Sequence, residues 1–149
     1  MRIRPMVSED VTSVMPIENV CFTDPWTDQG FRDSLEEPSA QLLVIEDDLG
    51  QIVGYGCLYQ AVDEGEIVNV AVRPDCRLRG YGAVIVRALI GEGKKLGADY
   101  FFLEVRESNV SGRALYTSLG FTECGRRKGF YTKPKEDAIM MMWQETGSQ

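Results

Sequence analysis

A mixed α/β domain, with helices packed on the faces of one sheet, is the fold class this sequence predicts, and three observations carry it. Short β-branched runs such as Ile67-Val68-Asn69-Val70-Ala71-Val72 alternate with amphipathic stretches of helical period. Leu42 to Ile45 and Ile52 to Tyr59 face each other across Asp47-Asp48-Leu49-Gly50, a turn-rich stretch of hairpin length, so part of the sheet is antiparallel. The chain of 149 residues can bury one sizeable core and has no linker. One domain over 1–149 is therefore expected, with 145–149 a loose tail.

Taken in order, Ile3 and Arg4 begin a short strand. Ser8 is positioned to cap a helix carrying Val11, Val14 and Met15, which Pro16 should kink or restart. Thr27 caps a second short helix presenting Phe31 and Leu35, and Pro38 breaks the chain after it. The hairpin follows. Val68 to Val72 then forms a strand ended by Arg73-Pro74-Asp75, and Ala83 to Leu96 a helix with Val84, Ile85, Ala88 and Leu89 on one face, stopped at Gly97. Tyr100 to Val105 is the next strand and Val110 to Leu119 the next helix, between Asn109 as cap and Gly120 as terminator. Phe121 to Arg126 and Asp137 to Trp143 close the sheet.

Composition excludes several classes. A net charge of −7 argues against a nucleic-acid surface, and no apolar run approaches the roughly 18 residues a membrane span needs. Without a basic region followed by an apolar run at the start, a cytoplasmic protein is expected. Cys21, Cys57, Cys76 and Cys124 are scattered without a C-x-x-C pair and read as reduced thiols. The chain has no histidine, which removes the commonest metal ligand and any triad built on imidazole. No metal is expected, and proton transfer falls to carboxylate, phenol, lysine or water.

Arg77-Leu78-Arg79-Gly80-Tyr81-Gly82 stands between a strand and a helix. Its glycines permit a tight turn, and the helix aims its positive N-terminal end at the same place, so the segment reads as a pyrophosphate cradle. A Walker A loop would need Gly-Lys-Ser/Thr, which is absent. A dinucleotide fingerprint would need a third glycine where Ile85 stands and a first glycine directly after the strand, whereas Arg73 to Arg79 intervene.

What remains, Arg-x-x-Gly-x-Gly after a strand and opening a helix, resembles the acetyl-CoA loop of the Gcn5-related N-acetyltransferase (GNAT) superfamily. Leu103-Glu104-Val105-Arg106-Glu107-Ser108-Asn109, followed by Ala114-Leu115-Tyr116-Thr117-Ser118-Leu119-Gly120-Phe121, resembles its second block, in the right order and at the expected distance. Within the superfamily, Cys21-Phe22-Thr23-Asp24-Pro25-Trp26-Thr27, Arg127-Lys128-Gly129-Phe130-Tyr131 and Glu136-Asp137-Ala138-Ile139-Met140 resemble the RimI type, the ribosomal-protein alanine N-terminal acetyltransferases. The resemblance implies a twisted, mostly antiparallel sheet with splayed central strands, acetyl-CoA as co-substrate, and a ribosomal-protein N-terminus as acceptor. Another protein N-terminus, a lysine, a polyamine or a small amine is the alternative acceptor, and a non-catalytic acyl-CoA-binding module the alternative function.

Amide formation needs a base, because an ammonium cannot attack a thioester, and an α-amino group with a pKa near ~8 asks little of it. Glu104 interrupts an apolar strand, where an ionised side chain is costly unless paired or functional, and partial burial would raise its pKa toward neutrality. The resemblance gives Glu104 the same role. A solvent-facing side chain or a pair with Arg106 is the structural alternative, and Glu66 the rival base. The resemblance makes Tyr116 the acid for the departing thiolate, and implies a splay that frees the N–H groups along Val70, Ala71 and Val72 for the pantetheine arm and acyl carbonyl. Leu78, Arg79, Gly80, Tyr81, Gly82 and Ala83 would supply pyrophosphate contacts, with charge from Arg77 or Arg79. Asn109 matches a cofactor-touching position and can also cap its helix. Pro25-Trp26 and Phe130-Tyr131 lie on segments the family places around the acceptor, although a local core explains them equally well. Cys76 before the loop could carry an acetyl group only with an activating partner, so direct transfer in a ternary complex is the simpler route.

Overall fold

A computed structural model describes residues 1–145. Its strands are β1 (Arg2–Pro5), β2 (Ala40–Glu46), β3 (Ile52–Ala61), β4 (Glu64–Val72), β5 (Tyr100–Arg106), β6 (Thr122–Thr132) and β7 (Lys135–Gln144), and its helices α1 (Val11–Cys21), α2 (Asp28–Glu36), α3 (Tyr81–Lys95) and α4 (Val110–Ser118). Short 3-10 turns cover Ser8–Asp10 and Pro74–Cys76. The strands form one sheet in the order β1-β2-β3-β4-β5-β7-β6, in which only β4 and β5 run parallel. This is the mixed, mostly antiparallel α/β sheet expected.

Side chains of β2 alternate between the two faces, so Leu43 and Ile45 join one core and Leu42 and Val44 the other. The first core lies under α3, where Ile85, Val86 and Leu89 meet Leu58, Ile67 and Phe101. The second lies under α1 and α2, where Val11, Val14, Ile17 and Phe31 meet Tyr55 and Cys57. A Cβ on Gly56 would stand 2.7 Å from Ile85 and 2.9 Å from Leu89, so glycine at that position lets α3 lie close over β3.

Three local expectations are corrected. Ser8 is not a cap: its hydroxyl turns to Glu9, while the Asp10 carboxylate accepts the Val7 N–H at 2.8 Å and also holds Arg4. Of the two outcomes expected at Pro16, a restart is excluded: α1 runs from Val11 to Cys21 through it, with Val14 and Ile17 buried on either side. Glu145 is tied down, its amide donating to the Asp99 carbonyl and its carboxylate pairing with Lys94. The remainder of the expected tail, residues 146–149, lies outside the described residues. Thr27 and Asn109 do cap their helices, accepting the N–H groups of Gly30 at 3.0 Å and Gly112 at 2.9 Å.

Two departures from regular pairing shape the centre of the sheet. β4 and β5 pair only at Glu64–Tyr100, Gly65–Phe101 and Glu66–Phe102, then separate. Opposite the divergence, β4 carries a bulge: Tyr55 pairs with Ala71 and Cys57 with Val68, so Asn69 and Val70 together face Gly56. Asn69 adopts a φ of 52°. The extra residue resets the alternation, placing Val68 and Ala71 on the α1 face and Ile67, Val70 and Val72 on the α3 face.

Candidate active site

The gap between β4 and β5 is bordered by the loop before α3 on one side and by Glu104 on the other. Gly80 precedes α3 with a φ of 85° and offers no side-chain cap, so the first N–H groups of the helix, at Tyr81, Gly82 and Ala83, are left open to an anion. Leu78 is also left-handed, with a φ of 64°, and is fully exposed. Such backbone costs a non-glycine residue roughly 1–2 kcal/mol. Arg77 turns back toward the sheet, its guanidinium 3.4 Å from the Val72 carbonyl and 3.3 Å from Cys21 Sγ. Arg79 is exposed and, among the described residues, has no hydrogen-bond or ion-pair partner.

Farther into the gap, the Arg73 N–H donates to the Val53 carbonyl at 2.7 Å. Strand alternation then turns the Val72 N–H away from β3, toward the side from which β5 has departed, and Val70 shares that parity beyond Ala71.

Glu104 lies two residues past the last β4–β5 pair and opposite Met140 of β7. Its side chain is only 20% exposed, Oε1 stands 3.7 Å from the Arg127 guanidinium, and Oε2 is buried with no hydrogen-bond partner among the described residues. Burial raises its pKa above the usual carboxylate range; the Arg127 cation opposes that rise and the Glu66 carboxylate adds to it. Glu104 does not pair with Arg106, which binds Glu136 at 3.5 Å and the carbonyls of Lys133 and Pro134. A groove of about 480 Å³ joins Glu104 and Arg127 to Tyr59, Glu64, Glu66 and Met140. A larger cleft of about 640 Å³ lies between Arg4, Glu46 and Arg73, but its arginines are already held by Asp10, Glu46 and Asp75.

Tyr116 projects from α4 against Phe121, with ring centroids 5.9 Å apart. Burial, reinforced by nearby Tyr131, pushes its hydroxyl up to about 12, so it keeps its proton at neutral pH. Tyr131 is in turn raised by burial and by Glu104, with Arg106 stacked 4.2 Å from its ring opposing the shift. Sequence reasoning missed Tyr131 and Arg127 as neighbours of Glu104, since β6 runs to Thr132 rather than ending at Arg126.

Other candidates separate by environment. Cys76 is buried, its Sγ 3.6 Å from the Asp75 carboxylate and with no basic side chain bonded to it among the described residues. Trp26 packs on Phe31 at 5.1 Å as part of the second core, whereas Phe130 is largely exposed. Glu136 and Asp137 fasten turns: Glu136 accepts the Ser108 N–H at 2.6 Å, and Asp137 the Gly129 N–H at 2.8 Å. Among the described residues, no helix is long and apolar enough to cross a membrane and no cluster of His, Cys, Asp or Glu is placed to hold a metal.

A family model described as "Acetyltransferase (GNAT) family" matches residues 11–121, which include the bulge, the N–H-lined loop, Glu104 and Tyr116. The chain belongs to the GNAT acetyltransferase family. Among its GNAT relatives is the Bacillus subtilis (strain 168) "Putative [ribosomal protein bS18]-alanine N-acetyltransferase", 38% identical over 93% of this chain and 92% of that protein. The Escherichia coli (strain K12) "[Ribosomal protein bS18]-alanine N-acetyltransferase" is 32% identical over 93% of this chain and 94% of that protein. A crystal structure of the Escherichia coli ribosomal-protein-S18-alanine N-acetyltransferase superposes with a TM-score of 0.87 at 30% identity, covering 99% of this chain and 97% of that one.

Proposed function

We propose that this chain, acting as one domain, moves the acetyl group of acetyl-CoA to the α-amino group of a ribosomal protein beginning with alanine, by direct transfer. The observation that carries the reading is the buried, unpartnered Oε2 of Glu104 at the mouth of the β4–β5 gap. Such an oxygen is costly to leave unmet in a fold, and an incoming ammonium would meet it. The acceptor itself rests on the relatives.

In this reading the N–H groups of Leu78, Arg79, Gly80, Tyr81, Gly82 and Ala83 bind the pyrophosphate, and Arg79 rather than the engaged Arg77 adds charge. Asn109 contacts the cofactor near α4 while its Oδ1 caps the helix. Val70, Ala71 and Val72 hold the pantetheine arm, and N–H groups turned into the gap receive the thioester oxygen as charge develops on it. Glu104 takes a proton from the ammonium, directly or through one water, and Glu66 supplies negative potential in the same groove. As the new C–N bond forms and the C–S bond breaks, Tyr116 gives its proton to the departing thiolate, and the second proton released by the acylated nitrogen passes through water to restore the Tyr116 hydroxyl, so that one proton is left on Glu104 and leaves to solvent. No residue is acylated, in keeping with the buried, acid-flanked Cys76.

The test is mass spectrometry of ribosomal proteins incubated with enzyme and acetyl-CoA. A single acetyl group is expected on an N-terminal alanine, and transfer to an internal lysine would overturn the acceptor assignment. A ribosomal acceptor also requires the enzyme in the cytoplasm.

A further inference from the structure

We propose that Glu18 is a positioning residue that ties the acceptor-side loop and the bulged strand β4 to one buried point. This inference rests on the acetyltransferase reading of the gap. Glu18 is 1% exposed in the middle of the second core, where a carboxylate is costly unless fully hydrogen-bonded. Its partners are specific. Oε1 accepts from the Tyr55 hydroxyl at 2.5 Å, while Oε2 accepts from the Trp26 backbone N–H at 2.9 Å and from Asn69 Nδ2 at 3.0 Å.

Those partners belong to three different elements. Trp26 lies in the connection between α1 and α2, the segment that resembles an acceptor wall. Tyr55 belongs to β3, on the strand face that packs against Phe31 at 5.7 Å. Asn69 is the left-handed residue of the β4 bulge. Removing the bulge would shift register by one and send every later side chain of β4 to the opposite face, carrying Val70 and Val72 with it. The Asn69 side chain reaches Glu18 only while its backbone holds that left-handed turn, so the contact holds the bulge and, through it, the direction of the Val70 to Val72 amides. Glu18 therefore sets two distances at once: that of the thioester cradle and that of the acceptor loop.

Four variants test this, by steady-state kinetics and backbone hydrogen exchange. Glu18→Gln should retain kcat within about threefold, because its amide can donate to the Tyr55 oxygen while its carbonyl still accepts from Trp26 and Asn69. Glu18→Leu should lower kcat about tenfold or more, raise the acceptor KM, and speed exchange at Trp26 and at Asn69 to Val72. Asn69→Gly keeps the left-handed turn available but loses the tether. It should lower kcat several-fold with the acetyl-CoA KM within about twofold, and speed exchange along β4 but not at Trp26. Asn69→Val, which resists that backbone, should be worse than Asn69→Gly.

Wild-type kcat and wild-type exchange in a folded Asn69→Gly protein would overturn the proposal, even if Glu18→Leu fails to fold. So would a Glu18→Gln enzyme as impaired as Glu18→Leu, since charge rather than position would then be at issue. A wild-type enzyme that acetylates no amine would sink the catalytic reading alone, leaving the exchange pattern to decide whether Glu18 ties the two segments together.

Discussion

The two ends of the gap are built from different materials. The end proposed for the pyrophosphate is backbone: Leu78 and Gly80 are left-handed, the N–H groups opening α3 have no side-chain cap, and the Leu78 side chain is exposed. The end proposed for the acetyl group is side chain: Glu104 of β5 stands beside Arg127 of β6, and burial raises the pKa of Glu104, of Tyr116 on α4 and of Tyr131 on β6. Binding an anion of fixed charge requires no titrating group, whereas moving a proton requires one whose affinity has been adjusted. Substitutions should accordingly separate KM from kcat according to the end they touch.

The sharpest separation is expected from Glu104→Gln, which should cut kcat by about 10²–10³ while leaving CoA affinity, measured by calorimetry, unchanged. Unchanged turnover would transfer the base role to Glu66. Tyr116→Phe should follow, with a loss of about 10–10² in kcat seen as slower thiol release. Gly80→Val works the other end. A branched side chain resists a φ of 85° although nothing lies within 4 Å of its Cβ, so the acetyl-CoA KM should rise about tenfold with kcat nearly intact.

A smaller effect is electrostatic. Arg127 lowers the Glu104 pKa against the rise that burial imposes, so Arg127→Met should move the acid limb of kcat/KM to higher pH, measured across pH 5–9. Tyr116, near 12, should add no alkaline limb within that range. The smallest effect is on stability. With a folded pKa above its unfolded value, Glu104 contributes most below about pH 4 and loses that contribution as pH rises through the raised value. Glu104→Gln should therefore raise Tm by a few degrees at pH 7, and the difference should vanish toward pH 4.

The elements were legible because periodicity and caps are local: Thr27, Asn109, Gly97 and Gly120 mark the ends where the structure has them. Ser8 misled because Asp10, held by Arg4, competes for the same turn. Glu104 stood out as a carboxylate in an apolar strand. Arg127 could not be foreseen beside it, because the two meet across β7, a strand that follows both in the chain. Asn69 was hidden in a run of β-branched residues that reads as regular strand; only the shift from Cys57–Val68 to Tyr55–Ala71 pairing exposes the bulge. Glu18 left no signal, as a helical glutamate is ordinarily solvated.

With only three pairs joining β4 to β5, the sheet is two antiparallel blocks held by a short parallel seam. An extended cofactor lying along that seam would act as a substitute strand, accepting amide bonds that the protein chain does not supply. Its occupancy should then weld the blocks into one cooperative unit, and at a hundred times Kd mass action alone adds about 2.7 kcal/mol of stability. Each turnover would end by unzipping that borrowed strand, so the rate at which the seam reopens sets an upper limit on how fast product can leave.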